Sequence, residues 1–324
     1  MAARRRLKKQ VYFVLVGFVI LIVLIVAIIL GINTYKDYKY KQTYEYKLLE
    51  HGYNDEETAK ILSMFSDNEE IDFFLETEKN SNYVLLLDEE YYLSKNFDKY
   101  INYINENPDM PLRDIVRNIN IHLDNDFYEV TYNTDTSLDA AMLVNKYYRL
   151  DNTYNPDDLV VIPQTYSWGD AGSQMVREVA YSAFLDMWNA AAEEGYYLMV
   201  SSSYRSYEEQ EIVYNNYKNS SGERYADSIA ARPGSSEHQT GLTLDIFSRD
   251  NSNRATFAGS EVANWLAENS YKYGFILRYP EDKVDITGYS YEAWHFRYVG
   301  EDIATYIYEH DITFEEYYAY FLED

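Results

Sequence analysis

Residues 235–245 read Ser-Ser-Glu-His-Gln-Thr-Gly-Leu-Thr-Leu-Asp, and residues 292–295 read Glu-Ala-Trp-His. His238, Asp245 and His295 offer two imidazole nitrogens and one carboxylate oxygen, a three-donor set that leaves one zinc position open for water. Glu292, three residues before the last donor, stands where a general base could work on that water. The chain has five histidines and two of them fall in these segments. Each residue also has an ordinary explanation. His238 fits an exposed loop histidine, His295 a hydrogen-bonded core residue beside Trp294, and Glu292 a solvated loop acid. Asp245 is harder to explain that way, because a carboxylate among leucines needs a partner.

Several elements must hold these residues. Leu242, Leu244 and Ile246 alternate with Thr243, Asp245 and Phe247, which predicts a strand with Asp245 opposite the leucines. Trp294, Phe296 and Tyr298 alternate with His295 and Arg297, which predicts a second strand carrying a donor. His238 falls on the loop before the first strand, just after the stretch Gly222–Ser236, which reads as a polar loop. Residues 174–194 carry apolar side chains at helical spacing, among them Ala180, Phe184, Met187 and Ala191, and Gly195 ends the run. Residues 196–203 read as a strand, Ser206–Glu209 as a capping box for a helix reaching about Lys218, and Val262, Trp265 and Leu266 as a further helix. Helices and strands without regular βαβ order predict an α+β fold.

The rest of the chain sets the context. Residues 11–32 form a charge-free run rich in Val, Ile and Leu. At ~1.5 Å per residue it is long enough to cross a ~30 Å hydrocarbon core. It exceeds a signal-peptide apolar region, and no small-x-small cleavage site follows, so an uncleaved anchor over 11–33 is expected. The basic cluster of residues 1–10 (Arg4, Arg5, Arg6, Lys8, Lys9) predicts a cytoplasmic N-terminus, with the remainder outside the membrane. The chain carries 28 basic and 54 acidic residues, net −26, and removing those five bases leaves 23 against 54. So acidic a surface repels phosphate backbones and argues against nucleic-acid binding. The absence of cysteine excludes thiolate ligands and disulfides, so a metal must be held by His, Asp or Glu. Residues 34–126 are polar, Tyr-rich and helical in pattern, with capping signals at Asn54–Glu57 and Ser66–Glu69, and predict a small helical stalk.

The motif Ser236-x-His238-x-x-Gly241-x-x-x-Asp245 with Glu292-x-Trp294-His295 resembles the VanY-type D-alanyl-D-alanine carboxypeptidases and their L,D-carboxypeptidase relatives, the LAS-type zinc peptidases. Three further stretches match: Ser202–Gln210 upstream, Tyr273-Gly-Phe-Ile-Leu-Arg-Tyr-Pro280, and Gly288-Tyr-Ser-Tyr-Glu-Ala-Trp-His295. The resemblance covers roughly residues 143–300. It implies a Hedgehog/D,D-peptidase-like α+β fold, with a small antiparallel sheet in a catalytic region 127–324. It implies Zn2+ held by His238, Asp245 and His295, and Glu292 as base. It further implies that Arg205 meets the peptide terminus or the developing oxyanion, and that Ser203, Gln210 and Ser236 line the cleft. An arginine fork suits a terminal carboxylate on physical grounds as well. The substrate implied is a peptidoglycan stem peptide that loses a terminal D-alanine outside the cytoplasmic membrane. D,D- and L,D-specificity are not separated by these motifs. One position departs from the family, which has Ala where Thr243 stands, sharing a strand face with Asp245. A catalytically inactive wall-binding or regulatory ectodomain is the competing expectation, and retention of all four site residues argues against it.

Overall fold

A computed structural model describes residues 2–65, 68–170 and 172–323. The chain divides into two compact units, residues 1–92 and 93–324. In the first, Ala2–Tyr40 is one continuous helix, and its stretch Val11–Tyr40 is long and apolar enough to cross a membrane. Four shorter helices follow, Tyr44–His51, Asp55–Met64, Asn68–Glu76 and Ser81–Leu85. Each is too short to be stable alone. They close on a shared core that includes Leu48, Ile61, Phe65, Phe74 and Leu86. The Asn54–Glu57 capping box forms as its sequence predicts. The second capping signal falls on Ser66 and Asp67, outside the described residues.

The second unit begins with the helices Phe97–Glu106 and Leu112–Asn120. The sequence boundary at 126/127 differs from the division at 92/93, and packing explains the difference. Leu112–Asn120 lies against the C-terminal helix Phe314–Phe321, so it shares a core with the end of the chain.

The strands are β1 (Tyr132–Asn133), β2 (Tyr148–Arg149), β3 (Leu159–Val161), β4 (Met175–Arg177), β5 (Leu198–Ser202), β6 (Thr243–Ser248), β7 (Phe275–Leu277) and β8 (His295–Tyr298). β1 and β2 pair in parallel, and β3 and β4 antiparallel. The main sheet has the order β5-β6-β8-β7 and is antiparallel throughout. This is an α+β fold with small sheets. Its strands alternate as a period of two requires. Leu244, Ile246, Val200 and Phe296 face a core closed by the helices Glu178–Glu193 and Glu261–Asn269, through Phe184, Met187 and Leu266. The opposite face carries Thr243, Asp245, His295 and Arg297.

Two local expectations are corrected. Residues 175–177 are strand β4 rather than the first turn of the following helix, because they pair with β3 before the helix starts at Glu178. The stretch 222–236 is not wholly loop. Glu223–Ile229 is a helix whose Ala226 packs with Tyr214.

Candidate functional site

The register of the sheet brings two of the predicted donors side by side. Asp245 on β6 pairs directly with His295 on β8, so their side chains rise from the same face. On its other side Asp245 pairs with Ser202, past an irregularity in β5. The third donor sits on a single 3-10 turn, Glu237–Thr240, leading into β6. Gly241 ends that turn at φ 69°, where a Cβ would lie 2.9 Å from both the Arg177 and Leu159 side chains. A left-handed residue without a side chain is therefore needed to return the chain from His238 into β6.

His238, Asp245 and His295 are all buried, and one donor atom from each lies within 4.8 Å of the others. His238 Nε2 is 3.5 Å and His295 Nδ1 3.4 Å from Asp245 Oδ1. Those separations exceed hydrogen-bonding range, and Asp245 Oδ1 is buried without a hydrogen-bond partner. A buried carboxylate oxygen left in this way is costly. A divalent ion removes the cost. Ligands at ~2.0–2.1 Å from a tetrahedral zinc stand ~3.3 Å apart, close to both spacings. Two imidazoles and a carboxylate are also the right donor chemistry, so the residues present fit a zinc ion.

The remaining ring nitrogens are accounted for. His238 Nδ1 is 2.7 Å from the Ser203 carbonyl, and His295 Nε2 is 3.3 Å from Glu237 Oε2. Burial lowers the pKa of both imidazoles. At His238 burial prevails with help from Arg205, and the pKa falls below its ordinary value. At His295 the opposing pull of Asp245, Glu237 and Glu292 wins, and the pKa rises well above it. Burial alone would raise the Asp245 carboxyl, yet the two histidines hold it below the carboxylate range. Three acids converging on one buried nitrogen pair favour a cation at that point.

Around this cluster lies a cleft of about 570 Å³, lined by Arg205, Gln210, Ser236, Arg254, Tyr279 and Glu292 among others. Glu292 Oε2 lies 3.3 Å from His295 Nδ1. Arg205 donates to Gln210 Oε1 at 2.7 Å and Ser202 Oγ at 2.8 Å, and its backbone N–H donates to the His238 carbonyl at 3.2 Å. Two of its five N–H donors are thereby engaged, and the guanidinium still borders the cleft. Gln210 is itself anchored by donating to the Ala231 carbonyl at 2.7 Å.

Ser203 is a correction. It does not line the cleft. Its hydroxyl donates to Gln174 Oε1 at 2.8 Å and accepts from the Met175 N–H at 3.0 Å, and its carbonyl holds His238. Thr243 shares the face of Asp245, but its buried hydroxyl has no hydrogen-bond partner.

Four residues near the site escaped the sequence reading. Arg254 stacks over the Trp294 ring at 4.9 Å, with Nη2 3.8 Å from Asp245 Oδ2. The Tyr279 ring packs 4.7 Å from His295. Glu237 and Arg297 are buried within the site's own segments. Arg297, two residues after His295 on β8, was open to detection from the period of a strand. Nothing in the sequence pointed to Arg254, because its approach depends on the path of the chain after β6.

Comparison with known proteins bears on what such a site does. Residues 173–301 match the model of the VanY family, described as D-alanyl-D-alanine carboxypeptidase. The chain is 46% identical over 180 residues to YodJ of Bacillus subtilis (strain 168), which bears a provisional carboxypeptidase name, covering 54% of this chain and 66% of YodJ. It is 41% identical over 150 residues to a D-alanyl-D-alanine carboxypeptidase of Enterococcus faecalis (strain ATCC 700802 / V583), covering 43% of this chain and 54% of that enzyme. The chain thus spans between about half and two thirds of the length of these curated relatives. The solved structure of the LdcB LD-carboxypeptidase, described for its peptidoglycan recognition, aligns with a TM-score of 0.55 at 42% identity, covering 60% of this chain and 94% of LdcB.

Proposed function

Because the chain belongs to the VanY family of D-alanyl-D-alanine carboxypeptidases, we propose that it is a zinc carboxypeptidase. In this reading it removes a C-terminal D-alanine from peptidoglycan stem peptides. The single observation that carries the reading is the buried, unpartnered Asp245 Oδ1 between His238 Nε2 and His295 Nδ1, at the base of a cleft bordered by Arg205 and Glu292. His238, Asp245 and His295 would hold the ion. When bound, zinc polarises a carbonyl and acidifies water, the chemistry that amide hydrolysis needs.

The chain's own residues do the rest. The Arg205 guanidinium, held by Gln210 and Ser202, receives the terminal carboxylate of the peptide through paired hydrogen bonds. That contact fixes which peptide bond lies over the ligand cluster. Glu292 accepts the proton of the attacking water and passes it to the nitrogen of the leaving D-alanine. Ser236, buried on the cleft wall, limits the room beside the scissile bond. The reaction needs no covalent enzyme intermediate. Residues 11–33 anchor the chain in the cytoplasmic membrane in this reading. The basic residues 1–10 stay inside, residues 34–126 act as a stalk, and the catalytic region 127–324 reaches the wall outside. Support for the anchor comes from the apolar stretch of the first helix.

The test uses the full chain in detergent micelles. It is incubated with muropeptides ending in D-Ala-D-Ala and with muropeptides ending in a single D-Ala, with products read by mass spectrometry. Loss of one D-alanine from either, abolished by a chelator and restored by zinc, is the expected outcome. The preferred substrate separates D,D- from L,D-activity. Release of D-alanine from neither would overturn the proposal.

A further inference from the structure

Beside His295, four charged side chains are shut off from water. Glu237 and Glu315 are the acids, and Arg278 and Arg297 the bases, with side chains 0–4% exposed. Arg278 Nε donates to Glu237 Oε1 at 2.8 Å, and Arg297 Nη1 donates to the same oxygen at 3.2 Å. The other two nitrogens of Arg278 bind Glu315 on the C-terminal helix at 2.8 and 2.5 Å. Two negative and two positive charges balance, as buried charges must. The second oxygen of Glu237 takes no part in these arginine bonds. Glu237 Oε2 lies 3.3 Å from His295 Nε2.

That contact decides which nitrogen of His295 is available. A carboxylate can only accept a hydrogen bond, so His295 must carry its proton on Nε2. In the neutral ring that metal binding requires, the Nδ1 lone pair is then left on the side of Asp245 Oδ1, 3.4 Å away. His238 is set in the opposite sense by the same logic, with the Ser203 carbonyl taking the Nδ1 proton and Nε2 left for the ligand cluster. We propose that Glu237 is a positioning residue that holds His295 in its Nε2–H form, with Nδ1 as the metal-binding nitrogen. The inference rests on the metal reading of the site given above.

Glu237→Gln sharpens the test. The two arginine donors converge on the Oε1 position, so the amide oxygen must occupy it. The amide NH2 then faces His295 Nε2 and requires that nitrogen to accept. The proton moves to Nδ1 and blocks the ligand position. Glu315→Gln serves as the control. It removes a carboxylate from the same buried group, so it costs stability, but Glu315 does not touch His295. Zinc affinity is read by competition with a chromophoric chelator, on full chain in micelles, alongside urea unfolding of the zinc-free protein. Glu237→Gln is expected to weaken zinc binding by ~10–100-fold, the usual scale for a residue that orients a ligand. Glu315→Gln is expected to unfold at lower urea yet bind zinc within about threefold of the parent. Parent-like affinity in Glu237→Gln, or equal losses in both variants, would overturn the proposal. Should Glu237→Gln fail to fold, Glu237→Asp keeps the charge and shortens the reach. A loss of affinity there with little loss of stability supports the proposal, and unchanged affinity overturns it. A parent chain that binds no zinc is a separate result. It removes the metal reading itself before any variant is compared.

Discussion

Two neighbouring rows on one face of the main sheet are built to opposite standards. In one, Asp245 pairs with His295, and the carboxylate oxygen between the two imidazoles has no hydrogen-bond partner. In the other, two residues along, Thr243 pairs with Arg297. There the guanidinium engages four of its five N–H donors, donating to Glu237, to the Ala140 and Met142 carbonyls and to the carbonyl of Tyr298. The charge in the second row is paired without help, although the Thr243 hydroxyl beside it is buried without a partner. The first is complete only if something positive joins it. Buried polar groups that satisfy one another rigidify a fold, whereas an open constellation of donors marks a place for a ligand. Glu237, on the turn before β6, joins the two rows, because it accepts from Arg297 and contacts His295.

Breaking the buried charge group that Glu237 shares with Arg297 should have the largest effect. Arg278→Met leaves Glu237 and Glu315 short of their main partner, and loss of one member of a buried charge group costs ~3–5 kcal/mol. Urea unfolding of the zinc-free chain measures it, and a loss below 1 kcal/mol would mean that the network is not structural. Next comes Glu292→Gln, which keeps size and removes the base. D-alanine release should fall by ~10²-fold or more while zinc content stays near one per chain. Loss of zinc in that variant would instead make Glu292 a ligand. Arg205→Lys keeps the charge but not the planar fork, so kcat/KM should drop at least ~10-fold, about 1.4 kcal/mol, with metal content unchanged. Full activity would return Arg205 to a structural role. The smallest effect is at Thr243. Thr243→Val keeps the shape and removes a buried hydroxyl without a partner, so the chain should gain about 1 kcal/mol of stability at unchanged zinc content. A destabilised variant would show that the hydroxyl has a use in solution.

Much of the site was legible because it lies in two short segments with strand periodicity. Alternation placed Asp245 opposite Leu244 and Ile246, and His295 opposite Phe296, and the sheet carries them so. Ser206 and Glu209 announced the helix that supports Arg205, and their reciprocal hydrogen bonds form. Ser203 was misread for a reason. The family resemblance implied a place in the cleft, but just past the end of β5 its side chain bonds Gln174, and only its carbonyl reaches the site. The boundary expected at 126/127 differs from the division into compact units at 92/93 because a helix's own sequence does not say which core it joins. Leu112–Asn120 looks like its predecessors in the chain, yet packs on the C-terminal helix.

The sequence by itself determined which residues are able to hold a metal, which strands carry two of them, and which stretch suits a membrane. Those follow from side-chain chemistry and local period, which act over a few residues. Only the tertiary structure decided that Asp245 and His295 share a register and that Glu237 faces the far side of His295. It also decided that Arg278 just after β7, Arg297 on β8 and Glu315 on the C-terminal helix gather around Glu237. Contacts between residues 37 to 60 positions apart are set by how strands and helices stack, and no local pattern encodes that.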